Sequence, residues 1–185
     1  MSLLQNFSSA HLHVDPYPHV VIDSALPQSL CDELRATYPS LESQGVDSQM
    51  DNMRWSTKAR VCPNIENIAP VWTEIISYHT SQTFLNEVLT VFSDHLIKLY
   101  PHRFSDHTAL HDQKAVVRDI DNPGHGVLSL DAQISGNTPA RTPSAPRGVH
   151  LDSPNALYGG LYYLRDNNDD SIGGDLQVWK WKSNY

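Results

Sequence analysis

The chain has 185 residues, 39% of them hydrophobic and 18% charged, enough for one domain with a substantial core. A net charge of −8, with Lys and Arg scattered along the chain, argues against a nucleic-acid partner, which needs a basic face. Two cysteines, Cys31 and Cys62, lack CxxC spacing, and the N-terminus has no basic region followed by an apolar core, so the expectation is a cytoplasmic protein without a disulfide framework, secretory signal or membrane span.

The elements read as follows in chain order. YPHVVID (17–23) is β-branched and bounded by Pro18 and Asp23, which predicts a short strand. SALPQSLCDELRATYPS (24–40) predicts a helix, with Ser24 as N-cap, Pro27 in the first turn, and Leu26, Leu30, Leu34 and Tyr38 at i, i+4 spacing. Residues 41–63 are polar and irregular and read as a loop that contains Arg54 and Trp55. The apolar pattern of residues 68–100 predicts two helices broken near Thr80 and Ser81, the second ended by Pro101.

After Pro101 the period changes from about 3.6 to 2. KAVVRDI (114–120) and VLSLDAQISGN (127–137) read as strands, followed by a Pro-rich loop, TPARTPSAPRG (138–148). ALYGGLYYLR (156–165) and DLQVWKWK (175–182) predict two further strands joined by the turn-rich DNNDDSIGG. The expectation is a single α+β domain over 1–185. Residues 1–101 form mainly helical support, and residues 114–185 form the first, antiparallel strands of a sandwich or jelly roll.

His150 and Asp152 are the residues most suggestive of chemistry. In an extended chain, positions i and i+2 point to the same side, so an imidazole nitrogen and a carboxylate oxygen can share one metal. A second histidine from elsewhere would complete the facial triad of non-haem Fe(II) oxygenases. An HxD pair alone is a common accident of sequence, and taken by itself a surface histidine beside a turn aspartate explains it better. The following residues add weight. HLDSP (150–154), Tyr162-Tyr163-Leu164, the acidic turn 166–171 and Gly173-Gly174-Asp175-Leu176 stand in order along the chain.

That string resembles the 2-oxoglutarate- and Fe(II)-dependent oxygenase superfamily, in its prolyl-hydroxylase-like branch, and PYPHVVIDSALPQSLCDEL resembles the usual entry strand and helix of that family. The resemblance implies a jelly roll of the double-stranded β-helix type, here incomplete. It implies His150 and Asp152 as metal ligands, Tyr162 seating the distal carboxylate of 2-oxoglutarate and Leu176 as an apolar wall. Fe(II), 2-oxoglutarate and O2 would be the cofactors and co-substrates, and a peptide side chain or free small molecule the substrate. Gln133 is a further candidate to face the co-substrate, or else an ordinary inward polar residue. Gly173 and Gly174 are expected to shape a turn or bulge.

The resemblance also implies a distal histidine, with a basic partner for 2-oxoglutarate a few residues later, on a strand after Leu176. The sequence ends at Tyr185 with no such strand. The expectation is therefore the N-terminal part of a catalytic domain, weak in metal binding, inactive by itself, and self-associating through exposed strand edges. Of the upstream histidines, His107, His111 and His125 are candidates for a replacement ligand by residue type only, His95 reads as a core or boundary residue on the apolar face of a helix, and His11 and His13 form an HxH pair that a flexible tail explains. The alternative is a catalytically silent jelly-roll binding or assembly domain. A cupin-like sugar protein would want an HxH metal motif on its barrel strands, and HxD argues against it.

Overall fold

The structure, a computed structural model, describes residues 1–66, 68–118, 124, 126–145, 147–150, 152, 155–166, 168–170, 172–173 and 176–180. It is a mixed α and β structure of four helices and small two-stranded sheets. No helix among these residues is long and apolar enough to cross a membrane.

Strands β1 (Leu12–His13) and β2 (His19–Val20) form a short antiparallel ribbon, with Leu12 opposite Val20 and His13 opposite His19. Helix α1 (Gln28–Ala36) follows. Pro27, not Ser24, holds its N-cap position, because Ser24 sits at φ +55° in the turn before it. Helices α2 (Pro70–His79) and α3 (Gln82–Leu99) break where the pattern placed the break. Pro70 opens α2, and the Ser81 hydroxyl caps α3 by accepting from the Phe84 N–H at 3.3 Å. Helix α4 (His107–His111) is a single short turn capped by Asp106.

Strand β3 (Arg54–Lys58) lies inside the segment expected to be loop. It pairs antiparallel with β6 (Gln133–Asn137), from Arg54 opposite Asn137 to Lys58 opposite Gln133. Its side chains alternate, with Trp55 and Thr57 buried and Arg54 and Ser56 exposed. The order of helices first and strands afterwards is therefore corrected: residues 1–101 contribute one strand of the longest ladder.

Strands β4 (Lys114–Val117) and β5 (Val127–Leu130) form where the alternation predicts, but they run parallel. The Lys114 N–H donates to the Gly126 carbonyl at 2.9 Å and the Arg118 N–H to the Leu130 carbonyl at 2.7 Å, the slanted spacing of a parallel ladder. This corrects the expectation of a wholly antiparallel β region. Alternation records which residues face inward; strand direction depends on the path between strands, and that path is not written in the period. Among the described residues 156–180 no strand is formed, so a jelly roll is not shown by this structure. Asp175 and residues 181–182 of the last expected strand lie outside the described residues.

Two apolar clusters hold these elements. One joins Leu34 of α1, Trp55 of β3, Val71, Trp72 and Ile76 of α2 and Ile134 of β6. The other joins Leu85, Leu89 and Leu96 of α3 with Phe104, Leu110 of α4 and Leu130 of β5. Leu157 and Tyr158 pack on the second cluster and Leu164 on the first, so the segment carrying the YYL motif touches both.

Candidate functional site

His150 and Asp152 come together as their spacing requires. The Nε2 of His150 lies 3.6 Å from Oδ1 of Asp152, and both side chains are accessible. The Nδ1 of His150 is 2.7 Å from the Gly148 carbonyl oxygen. A carbonyl oxygen only accepts, so Nδ1 carries the proton, and in the neutral ring Nε2 presents its lone pair toward the carboxylate. Both atoms carry lone pairs, so a metal ion placed between them would be attracted by both. Metal-bound histidines are commonly oriented in this way, through the ring nitrogen that does not bind the metal. The Oδ2 of Asp152 would lie 3.6 Å from a Cβ at Gly159, which sets the carboxylate against the segment that leads to the YYL motif.

The donor set fits part of a non-haem iron site. Two cis ligands about 2.1 Å from a metal sit about 3 Å apart, so 3.6 Å requires only a small side-chain adjustment. The third ligand is not found in this structure: no group of three or more His, Cys, Asp or Glu side chains that could hold a metal occurs among the described residues. His95 lies at the half-buried boundary of α3. His107 sits 3.4 Å from Asp94, and His111 is exposed at the end of α4. His11 and His13 belong to the N-terminal ribbon, and His125 lies outside the described residues.

Tyr162 is engaged elsewhere. Its hydroxyl is 3.0 Å from the Cys31 thiol on α1, and burial, reinforced by Cys31, pushes its ionisation well above the ordinary phenol range. A co-substrate carboxylate would have to displace that thiol. Tyr163, the next residue, is 60% exposed. Tyr158 is half-buried against the second apolar cluster, and desolvation pushes its pKa up to about 12, the behaviour of a packing residue. Leu176 is 60% exposed and lines no enclosed wall here. Gln133 is exposed and donates to Oδ2 of Asp131 at 2.5 Å, which corrects its reading as an inward residue. Asp131 in turn accepts from the Ala59 N–H at 3.1 Å, so this pair ties β6 to the end of β3. Gly173 adopts φ +93°, a conformation that side chains rarely take, in keeping with a turn before the last segment; Gly174 and Asp175 lie outside the described residues.

Sequence reasoning missed the Cys31–Tyr162 contact, which joins residues 131 apart. Neither residue carries a local signal for it. Comparison with family models, with curated proteins and with solved structures finds no match to this chain.

Proposed function

We propose that this chain carries the HxD half of an Fe(II)- and 2-oxoglutarate-dependent oxygenase site, of the prolyl-hydroxylase-like kind. The observation that supports the reading is the 3.6 Å approach of His150 Nε2 to Asp152 Oδ1, with Nδ1 held by the Gly148 carbonyl. His150 and Asp152 would hold the metal. When bound, the metal supplies activation of O2, with 2-oxoglutarate as the co-reductant that leaves as succinate and CO2. The protein's part is to fix the ligands: the Gly148 carbonyl selects the imidazole tautomer, and the absence of a side chain at Gly159 leaves room beside the Asp152 carboxylate. The substrate class, a peptide side chain or a small molecule, follows from the resemblance alone.

Two ligands hold a divalent ion weakly. Titrating the chain with Mn(II), followed by loss of the free-ion paramagnetic resonance, tests the site. Weak binding is expected, reduced at least about tenfold by His150→Ala and by Asp152→Ala, since even supporting residues of metal sites are worth that much. Equal binding by wild type and both variants overturns the reading. Added 2-oxoglutarate is expected to tighten Mn(II) binding; no tightening removes the co-substrate from the proposal.

A second reading, an assembly domain without productive metal, is favoured by a separate observation. Leu161 and Tyr163 in the described stretch 155–166, and Leu176 and Trp179 in 176–180, are all exposed. Large apolar exposure of this kind marks a surface that associates.

A further inference from the structure

The N-terminal HxH pair, His11 and His13, has a structural setting that the sequence did not disclose. His13 on β1 stands directly opposite His19 on β2 in the antiparallel register. Directly opposed residues project from the same face of a ribbon, with Cβ atoms about 5 Å apart. The two imidazoles are stacked, with centroids 5.2 Å apart and planes 24° from parallel. The Nδ1 of His19 lies 2.8 Å from the Tyr17 carbonyl oxygen, so that nitrogen is the donor and the Nε2 of the neutral ring keeps its lone pair. His13 is exposed and His19 half-buried, which leaves the pair open to solvent. His11 is turned away: its Nδ1 accepts from the Ser8 N–H at 3.0 Å, and its ring sits against Phe7.

We infer that His13 and His19 form a cross-strand chelate for a borderline divalent transition ion of the Zn(II) class, with water completing the shell. Imidazole pairs select such ions over Mg(II) and Ca(II), which prefer oxygen ligands. Stacked rings point their in-plane lone pairs side by side, so chelation would require both side chains to turn until their free nitrogens converge on one ion. The net charge of −8 favours cation capture. The ion would also staple the ribbon. β1 and β2 pair over two residues each, and so short a ladder is marginal without support. The hairpin between them holds Asp15, whose carboxylate oxygens each lie 3.3 Å from Lys180 Nζ, so a stapled hairpin would steady that contact with the last described segment. This inference is independent of the HxD site.

The test is Zn(II) alone, titrated into the full chain and followed by NMR of the histidine ring protons. Variants His13→Phe and His19→Phe keep an aromatic ring in the stack while removing the ligand, and they assign the two ring signals. The expected result is joint movement of the His13 and His19 signals with the first equivalent of Zn(II). Affinity should fall at least about tenfold in either variant, because losing one arm of a chelate removes the effective concentration of the second ligand. His150→Ala should leave this binding unchanged. Amide exchange at Val21, whose N–H donates to the His11 carbonyl at 3.2 Å, should slow when Zn(II) is present. Wild-type affinity in His13→Phe and His19→Phe, or first-equivalent shifts at other histidines, overturns the inference. Loss of this binding in His150→Ala would assign the ion to the HxD site instead and overturn it equally.

Discussion

His79 fastens the N-terminus to α2, and replacing it should show as both a loss of stability and a change in pH dependence. The ring is 7% exposed. Its Nδ1 donates to the Ile75 carbonyl at 2.7 Å, and its Nε2 accepts from the Leu3 N–H at 3.1 Å. The adjoining Ser2 side chain bonds to Glu87 of α3, and the Tyr78 hydroxyl donates to the same carboxylate at 2.5 Å, so residues 2–3 lie strapped across both helices. His79→Phe preserves the ring and its edge contact with Phe84, at 4.4 Å between centroids, but removes both hydrogen bonds. The Leu3 N–H is then left without its acceptor, at a cost of about 1–3 kcal/mol. In a chain of this size each kcal/mol lowers the Tm by about 2–4 °C.

The pH dependence has a definite sign. Burial disfavours the imidazolium and holds the pKa of His79 below its ordinary 6.5. A proton would also set an Nε2–H donor against the Leu3 N–H. The unfolded chain takes up a proton near pH 6.5 while the native chain resists it. The stability that His79 contributes is therefore full above that pH and is lost as pH falls below it. Urea melts of wild type and His79→Phe between about pH 5 and 7.5 should show the wild-type advantage shrinking on acidification. A difference between the two proteins that stays constant across the range would refute this account of His79.

Two further perturbations test the fold around the site. Gly136 faces Trp55 across the β3–β6 ladder, and a Cβ there would lie 3.1 Å from the indole Nε1 and 3.2 Å from Cε2. Because Trp55 is buried, Gly136→Ala should cost about 1–3 kcal/mol by overpacking, read as a lower Tm together with a changed near-UV tryptophan signal; an unchanged Tm would show that the indole moves without strain. Leu161 at 63% and Trp179 at 60% exposure should drive self-association at micromolar concentration, visible by light scattering and reversed in the double variant Leu161→Ser, Trp179→Ser; a monomeric wild type would count decisively against it.

Local signals in the sequence were sufficient for α1, α2 and α3 and for the HxD pair, but not for the single turn of α4. The period of 3.6, Pro70, Ser81 and Pro101 define α2 and α3, because capping and chain breaking act within one turn. The convergence of His150 and Asp152 likewise follows from i, i+2 spacing, a local property. The RWSTK strand β3 was read as loop, because its short alternation sits among polar neighbours and its partner lies about eighty residues away. What only the tertiary structure decided depends on contacts between distant segments. Packing of the YYL segment across both apolar clusters, with α1 alongside, brought the Tyr162 hydroxyl to Cys31. The chain path brought β4 and β5 parallel, and ribbon register set His13 against His19. Periodicity tells which side of a segment turns inward, but the identity, direction and register of its neighbour are set by the closure of the whole chain around its cores.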